Sequence, residues 1–354
     1  MAKIRVLVVD DSSVARRMVS DVLASDPEIE IVGSAPNGRI ALAKLAQLGA
    51  DVVTLDVEMP EMDGIATLEA IRKVDPRMAV IMFSARTERA AQATVEALLR
   101  GATDYATKPT DGTGEQVIRQ ELLPKVKASV ASRRAVPAPC VAPTAMPERR
   151  PRVPDVVAIG VSTGGPQALS RLFADLSRPL PVPMVLVQHM PVTFTRILAE
   201  RLTAHSVVPV HEARDGDRLV PGEAWLAPGD FHMTVTRRNG SLTIQLDQEP
   251  PQNSCRPAVD VLFRSVADVF GRGVLALVMT GMGQDGCLGA ERIHASGGSI
   301  WAQDEATSVV WGMPGYIARE GLADAVLPLP QIAPELTRRL GSLAVPLRAT
   351  RAQS

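Results

Sequence analysis

Cysteine is sparse in this 354-residue chain: Cys140, Cys255 and Cys287 are an odd number at scattered positions. Such spacing excludes a disulfide framework and a cysteine metal cluster, and it suits free thiols in a reducing cytoplasm. Net charge is nearly absent too, with 38 basic side chains against 39 acidic ones. No broad basic field is available for nucleic acid or an anionic membrane, so neither partner is expected. There is no membrane-spanning apolar run. The N-terminal apolar run ends at Val9, too short for the core of a signal peptide, and Asp10 and Asp11 follow it. Export is therefore not expected. What is present is an ordinary globular composition, 46% hydrophobic and 22% charged, in a chain roughly two to three times the usual domain length.

The chain divides at residues 131–154, which hold six prolines and five arginines without apolar periodicity. That composition favours extended, poorly packed chain. Residues 1–125 carry 15 basic and 19 acidic side chains, 126–154 six and one, and 155–354 17 and 19. A basic linker over 126–154 thus joins two mildly acidic domains, 1–125 and 155–345, with a C-terminal tail over 346–354. In the first domain, β-branched runs at Val6–Val9, Val52–Leu55, Ala79–Phe83 and Tyr105–Thr107 alternate with helical stretches at Ser13–Ala24 and Ala41–Leu48. In the second, strands are expected at Val156–Val161, Met184–His189, Val274–Thr280 and Ile300–Gln303. Helices are expected between them at Pro166–Leu176, Val192–Ala204 and Val259–Phe270. Asn239-Gly240 marks a β-hairpin inserted in this pattern. Alternation of this kind predicts an α/β fold with two doubly wound parallel sheets.

Asp10 and Asp11 close the first strand, Asp56 the third and Ser84 the fourth, while Lys108-Pro109 follows the fifth. All fall on the carboxyl edge of the sheet, where open parallel sheets bind ligands. Converging carboxylates need a cation, and Mg²⁺ accepts a few carboxylates together with phosphoryl oxygens. A carboxylate so placed can attack phosphorus while a lysine and a hydroxyl hold the phosphoryl oxygens. Any one of these aspartates would by itself be a turn former or helix cap. These residues, with Asp56-Val-Glu-Met-Pro-Glu-Met-Asp-Gly64 and Tyr105-Ala-Thr-Lys-Pro109, resemble the response-regulator receiver family over residues 3–125. The resemblance implies a flavodoxin-like fold, with Asp56 as phosphoacceptor and Asp10, Asp11 and Asp56 as Mg²⁺ ligands. It also implies Ser84 and Lys108 as phosphate contacts and Tyr105 as the switch aromatic.

In the second domain, Gly160-Val-Ser162-Thr-Gly164 lies between a strand and a helix. It fits the elbow in which flanking glycines expose a serine at the top of a sheet. Serine needs a base, and the base needs a carboxylate. The candidates are His189, at the end of Met184–Gln188, and Asp285, in the glycine-rich loop Thr280–Gly286 after Val274–Met279, on the same sheet edge. The remaining histidines, His205, His211, His232 and His294, lie elsewhere. A glycine-rich strand-to-helix turn also suits phosphate or dinucleotide binding. Here, however, the spacing is not that of the dinucleotide fingerprint, and Gln188-His189 stands where a ribose-binding acid belongs. The order Ser, His, Asp differs from that of ordinary α/β hydrolases.

The motifs Gly160-Val-Ser-Thr-Gly-Gly-Pro166, Gln188-His-Met-Pro191, Arg256-Pro-Ala-Val-Asp260, Thr280-Gly-Met-Gly-Gln-Asp-Gly286 and Asp304 to Pro314 carry a second resemblance. They resemble the chemotaxis response-regulator protein-glutamate methylesterases over residues 155–345. This implies a Rossmann-like domain with Ser162 as nucleophile, His189 as base and Asp285 as its orienter, and with Met282 and Thr163 backbone amides as the oxyanion hole. The implied function is phosphorylation-activated demethylation of glutamate γ-methyl esters on chemoreceptor helices, with deamidation of receptor glutamines. It implies a chemotaxis histidine kinase as phosphodonor, no cofactor for the ester step, a monomer, and a cytoplasmic location. Cys255 and Cys287 read as packing residues, and Arg256 as pairing with a substrate carboxylate or an internal aspartate. Two rivals remain: a DNA-binding response regulator, which would want a basic output domain, and a phosphorylation-gated binding module with an inactive esterase site.

Overall fold

The computed structural model describes residues 2–85, 87–108, 114–134 and 153–341, the side chains of 131–134 excepted. In the first part, β1 (Ile4–Val9), β2 (Ile29–Ala35), β3 (Val52–Asp56), β4 (Ala79–Ser84) and β5 (Asp104–Thr107) form one parallel sheet. Their order, β2-β1-β3-β4-β5, is the flavodoxin-like one, with its switch point between β1 and β3. Strand periodicity explains how both faces are covered. Leu7 and Val9 of β1 enter one core layer, and Ile4, Val6 and Val8 enter the other. Helices begin where short polar side chains can accept an amide. Ser12, Asn37, Asp63 and Thr87 cap the helices Ser13–Ala24, Gly38–Leu48, Gly64–Val74 and Glu88–Leu99.

The linker expectation needs correcting at its start. A helix runs over Leu123–Arg134, and Val126 and Val130 are buried in the first domain's core with Leu122. Their four-residue spacing puts them on one helical face, so this stretch packs with the first domain instead of leaving it. Residues 135–152, Pro109 and Cys140 lie outside the described residues, as does the 346–354 tail.

The second part contains β6 (Val156–Val161), β7 (Met184–Gln188), β8 (Val210–Glu212), β9 (Ala224–Leu226), β10 (His232–Arg238), β11 (Ser241–Asp247), β12 (Val274–Val278), β13 (Ser299–Gln303) and β14 (Ala325–Leu327). Seven of these pair in parallel in the order β14-β13-β12-β6-β7-β9-β8. Taken from β9 through β7, β6, β12 and β13 to β14, this is the Rossmann sequence of strands, extended by β8 at one edge. Its switch point lies between β6 and β12. The hairpin β10-β11 stands apart as an antiparallel ribbon, turning at Asn239 and Gly240, whose φ values are 49° and 77°. Both central residues at positive φ make the turn the expected one. Among the described residues, no helix is long and apolar enough to cross a membrane.

The two domains meet along the helices Glu88–Leu99, Gly165–Asp175 and Val192–Ala204. At the centre, Tyr105 stacks on Phe194 with ring centroids 4.8 Å apart. Beside it the Thr163 hydroxyl donates to Asp104 Oδ2 at 2.6 Å, and both residues are buried. At the rim, Arg196 pairs with Glu88 at 2.5 Å and Arg201 with Glu96 at 3.6 Å. A buried hydrogen bond to a carboxylate contributes about 1.5–3 kcal/mol and an aromatic pair about 0.5–1.5 kcal/mol beyond its buried area. Exposed ion pairs contribute about 0–1 kcal/mol each. The centre, not the rim, holds this interface.

Candidate active site

β6 delivers Ser162 to the switch point, and three glycines let it arrive there. A side chain at Gly160 would strike Val259 Cγ1 at 2.4 Å, and one at Gly281 would strike Ser162 Cβ at 2.9 Å. Gly164, at φ 77°, turns the chain into the helix Gly165–Asp175. The turn is pinned on both sides: the Ser162 amide donates to Thr280 O at 3.0 Å, and Gln188 Nε2 donates to Ser162 O at 3.0 Å. Gln188 therefore works as a brace for the serine loop, a role its sequence position alone did not reveal.

β7 ends one residue before His189, whose Nε2 lies 2.8 Å from Asp285 Oδ2. Asp285 also accepts from the amides of Val259 (2.7 Å), Asp260 (3.1 Å) and Gly286 (3.0 Å), and from Asn253 Nδ2 (3.0 Å). Burial alone would raise this carboxyl, but His189 and the Val259 and Asp260 amides outweigh it and hold it below its ordinary value. Burial likewise opposes charge on His189. Asp285 and Cys255 prevail and raise the imidazole to about 9. Among the described residues Ser162 Oγ makes no hydrogen bond to His189. With Nε2 on Asp285, the nitrogen left for the serine is Nδ1, and Cys255 Sγ lies 3.6 Å from it. Long or unmade catalytic hydrogen bonds are common before substrate arrives.

Thr163 and Met282 have backbone amides with no acceptor among the hydrogen bonds of the described residues. Thr163 follows Ser162 in the turn after β6, and Met282 follows Gly281, the residue of the loop after β12 that packs against Ser162. Asn253, at φ 51°, donates to both Asp260 and Asp285, and its place in an irregular loop gave no sequence signal. Cys255 corrects an expectation: the thiol is not packing filler, because the loop carries it to the ring of His189. Arg256 takes the internal option, with Nη2 2.5 Å from Asp230 Oδ1 and Nη1 donating to Gln248 O and Glu249 O. His232 is buried between Pro250 O and the Ala258 amide, and His211 pairs with Glu223 on the surface.

In the first domain, Lys108 Nζ lies 2.7 Å from Asp56 Oδ2 and 2.8 Å from Asp10 Oδ2. The carboxylates of Asp10, Asp11 and Asp56 come within 4.8 Å of one another. Asp10 Oδ2 is buried, and its close partner is the Lys108 ammonium that it shares with Asp56. Burial raises Asp56 to about 6 against the pull of Lys108. An under-satisfied set of hard oxygen donors at a sheet edge fits Mg²⁺. Gly64 closes the floor of this site, since a side chain there would meet Asp56 O at 2.2 Å. Ser84 Oγ donates to Ala85 O and Ala90 O, each at 3.4 Å. Tyr105 points into the second domain and also lies under Lys125, whose Nζ is 4.7 Å from the ring centroid.

Two family models match the chain. The model described as CheB methylesterase covers residues 157–336, and the response regulator receiver domain covers residues 6–118. A protein-glutamate methylesterase/protein-glutamine glutaminase of Trichodesmium erythraeum is 49% identical, over 96% of this chain and 100% of that one. A protein of the same description from Nocardioides sp. is 52% identical, with 96% of each chain covered. Among solved structures, the CheB methylesterase catalytic domain of Thermotoga maritima is 42% identical with a TM-score of 0.51, covering 52% of this chain and 98% of that one.

Proposed function

The chain belongs to the CheB methylesterase family and carries a response-regulator receiver domain ahead of its catalytic domain, and from that premise we propose how its residues divide the work. The chain hydrolyses glutamate γ-methyl esters of chemoreceptor helices and deamidates receptor glutamines, in the cytoplasm. The carrying observation is the His189–Asp285 pair at 2.8 Å, set at the switch point beside the serine loop. Ser162 Oγ attacks the ester carbonyl while His189 Nδ1 takes its proton. The amides of Thr163 and Met282 receive the charge that develops on the carbonyl oxygen. His189 then gives that proton to the leaving methoxy oxygen, which departs as methanol, or to the leaving amide nitrogen, which departs as ammonia. Water next attacks the acyl carbon while giving a proton to His189, and that proton returns to Ser162 Oγ as the glutamate leaves. The step as written uses these residues and water. Relatives matching almost the whole chain are named as enzymes, which favours activity over a binding module with an inactive site.

A histidine kinase of the receptor array supplies the phosphoryl group to Asp56. Asp10, Asp11 and Asp56 would hold Mg²⁺, which when bound offsets charge on the phosphoryl oxygens. Lys108 contacts the incoming group, and Ser84 exchanges the Ala90 carbonyl for it. Before phosphorylation the receiver covers the esterase: Asp104 occupies the hydroxyl of Thr163, the residue next to the nucleophile, and Tyr105 seals against Phe194. Phosphorylation biases the receiver toward a packing that releases them. The domain limits we assign are 1–134 for the receiver and 153–341 for the esterase.

The test is methanol release from purified methylated receptor. Ser162→Ala should abolish it, and retained release would overturn the assignment of the nucleophile.

A further inference from the structure

Cys255 Sγ lies 3.6 Å from His189 Nδ1, on the ring edge away from Asp285. The residue is partly exposed and lines, together with His189, a cavity of ≈ 750 Å³ between the domains. Cys287, the other described cysteine, lacks such a neighbour. Burial, with Glu291, Glu320 and Asp260 nearby, pushes its thiol up. A thiol in contact with an imidazole whose far nitrogen is held by a buried carboxylate has a base in reach to take its proton as the sulfur attacks. Resting on the esterase reading above, we propose that Cys255 is a thiol–disulfide exchange site, capped by the disulfide of a low-molecular-weight thiol, and that the cap turns the esterase off.

The exchange balances without any further reagent. With His189 neutral, the Cys255 proton passes to Nδ1 as Sγ attacks one sulfur of the small disulfide. The new Sγ–S bond forms as the old S–S bond breaks, and the departing thiolate takes the proton from His189. Excess reduced thiol runs the same steps backwards. Once capped, Cys255 carries a bulky group at the mouth of His189, inside the cavity, where it stands against the ring that must serve Ser162.

The full chain is treated with glutathione disulfide, followed by intact mass and peptide mapping, and methanol release is measured on the same samples. A Cys140→Ser/Cys287→Ser background isolates the site. One glutathionyl adduct should form on Cys255, with methanol release falling in proportion and returning with dithiothreitol. In the unsubstituted chain Cys255 should react about tenfold faster than Cys287. Cys255→Ser and Cys255→Ala chains, whatever their basal rates, should lose nothing on treatment. Absence of the adduct, an adduct without loss of release, or equal loss in the Cys255 variants would each overturn the proposal. An untreated chain that releases no methanol counts instead against the esterase reading, and the mass measurement still decides where the thiol reacts.

Discussion

Asp56 and Asp285 are both buried aspartates at the carboxyl edge of a parallel sheet, yet their surroundings drive them in opposite directions. Asp56 has one cation, Lys108, shared with Asp10, and burial wins, raising it to about 6. Asp285 accepts five hydrogen bonds, three from backbone amides, and stays below its ordinary value despite burial. The difference is one of saturation. Asp285, proposed to hold the imidazole, is partnered on both oxygens by its own chain, which favours its charged form. Asp56 and Asp10 instead share a single ammonium, Lys108, between two carboxylates, which leaves lone pairs open to a metal ion and a phosphoryl group, the role proposed for Asp56. Fold alone does not set this, since both are α/β sheets of the same hand and edge.

Asp285→Asn breaks the comparison hardest. Removing the charge while keeping the shape leaves His189 without its orienter, and by analogy with the serine protease triad kcat should fall about 10⁴-fold. The pH profile sharpens this. His189 acts as base only when neutral, and it is raised from 6.5 to about 9, so kcat/KM of the resting chain should climb with pH up to about 9. In the Asn variant that limb should move down toward the ordinary histidine range. The same shift has a stability consequence: the contribution of charged His189 is complete below pH 6.5 and is lost as pH rises through about 9. A limb unchanged in the variant would mean that Asp285 does not hold His189.

Asp56→Asn tests the other side. The unsaturated site should no longer accept a phosphoryl group, so the ratio of methanol release with and without a small phosphodonor should fall to unity. Stimulation that survives would place the acceptor elsewhere.

The two sites were not equally legible in the sequence. Ser162 and His189 could be picked out as candidates because each directly follows a long apolar run, and Asp285 because it sits in the glycine-rich loop after another, while the helices Val192–Ala204 and Val259–Phe270 are found where apolar spacing put them. The strands β8, β9 and β14, three residues each, are too short to show a period. The end of the first domain was obscured by composition, because proline and arginine begin just where Leu122, Val126 and Val130 finish their helical face. Cys255, Asn253 and Asp104 stayed unread for another reason. Their partners lie 66, 32 and 59 residues away, on loops whose course no local pattern sets.

That interface offers a graded test of how the two acids are coupled. Tyr105→Ala removes the stack on Phe194, worth about 0.5–1.5 kcal/mol beyond area, and should raise basal methanol release about 2- to 10-fold while reducing the further gain from a phosphodonor. Unchanged basal release would mean that the aromatic seal does not restrain the esterase.

Glu88→Gln should do least. Its pair with Arg196 joins the same two domains at 2.5 Å, but Glu88 is 64% exposed and Arg196 42%. Water already solvates both charges, Arg196 keeps Glu200 as a second partner at 2.9 Å, and a pair of this kind contributes about 0–1 kcal/mol. Basal release should therefore rise by at most about fivefold, toward the lower end because both groups are exposed, and salt should erase even that. The variant separates two accounts of inhibition: if the rim pair matched Tyr105→Ala in effect, the receiver would be held by surface charge, and raising ionic strength alone would activate the enzyme. The buried Thr163–Asp104 hydrogen bond and the Tyr105–Phe194 stack predict instead that ionic strength leaves basal release nearly unchanged.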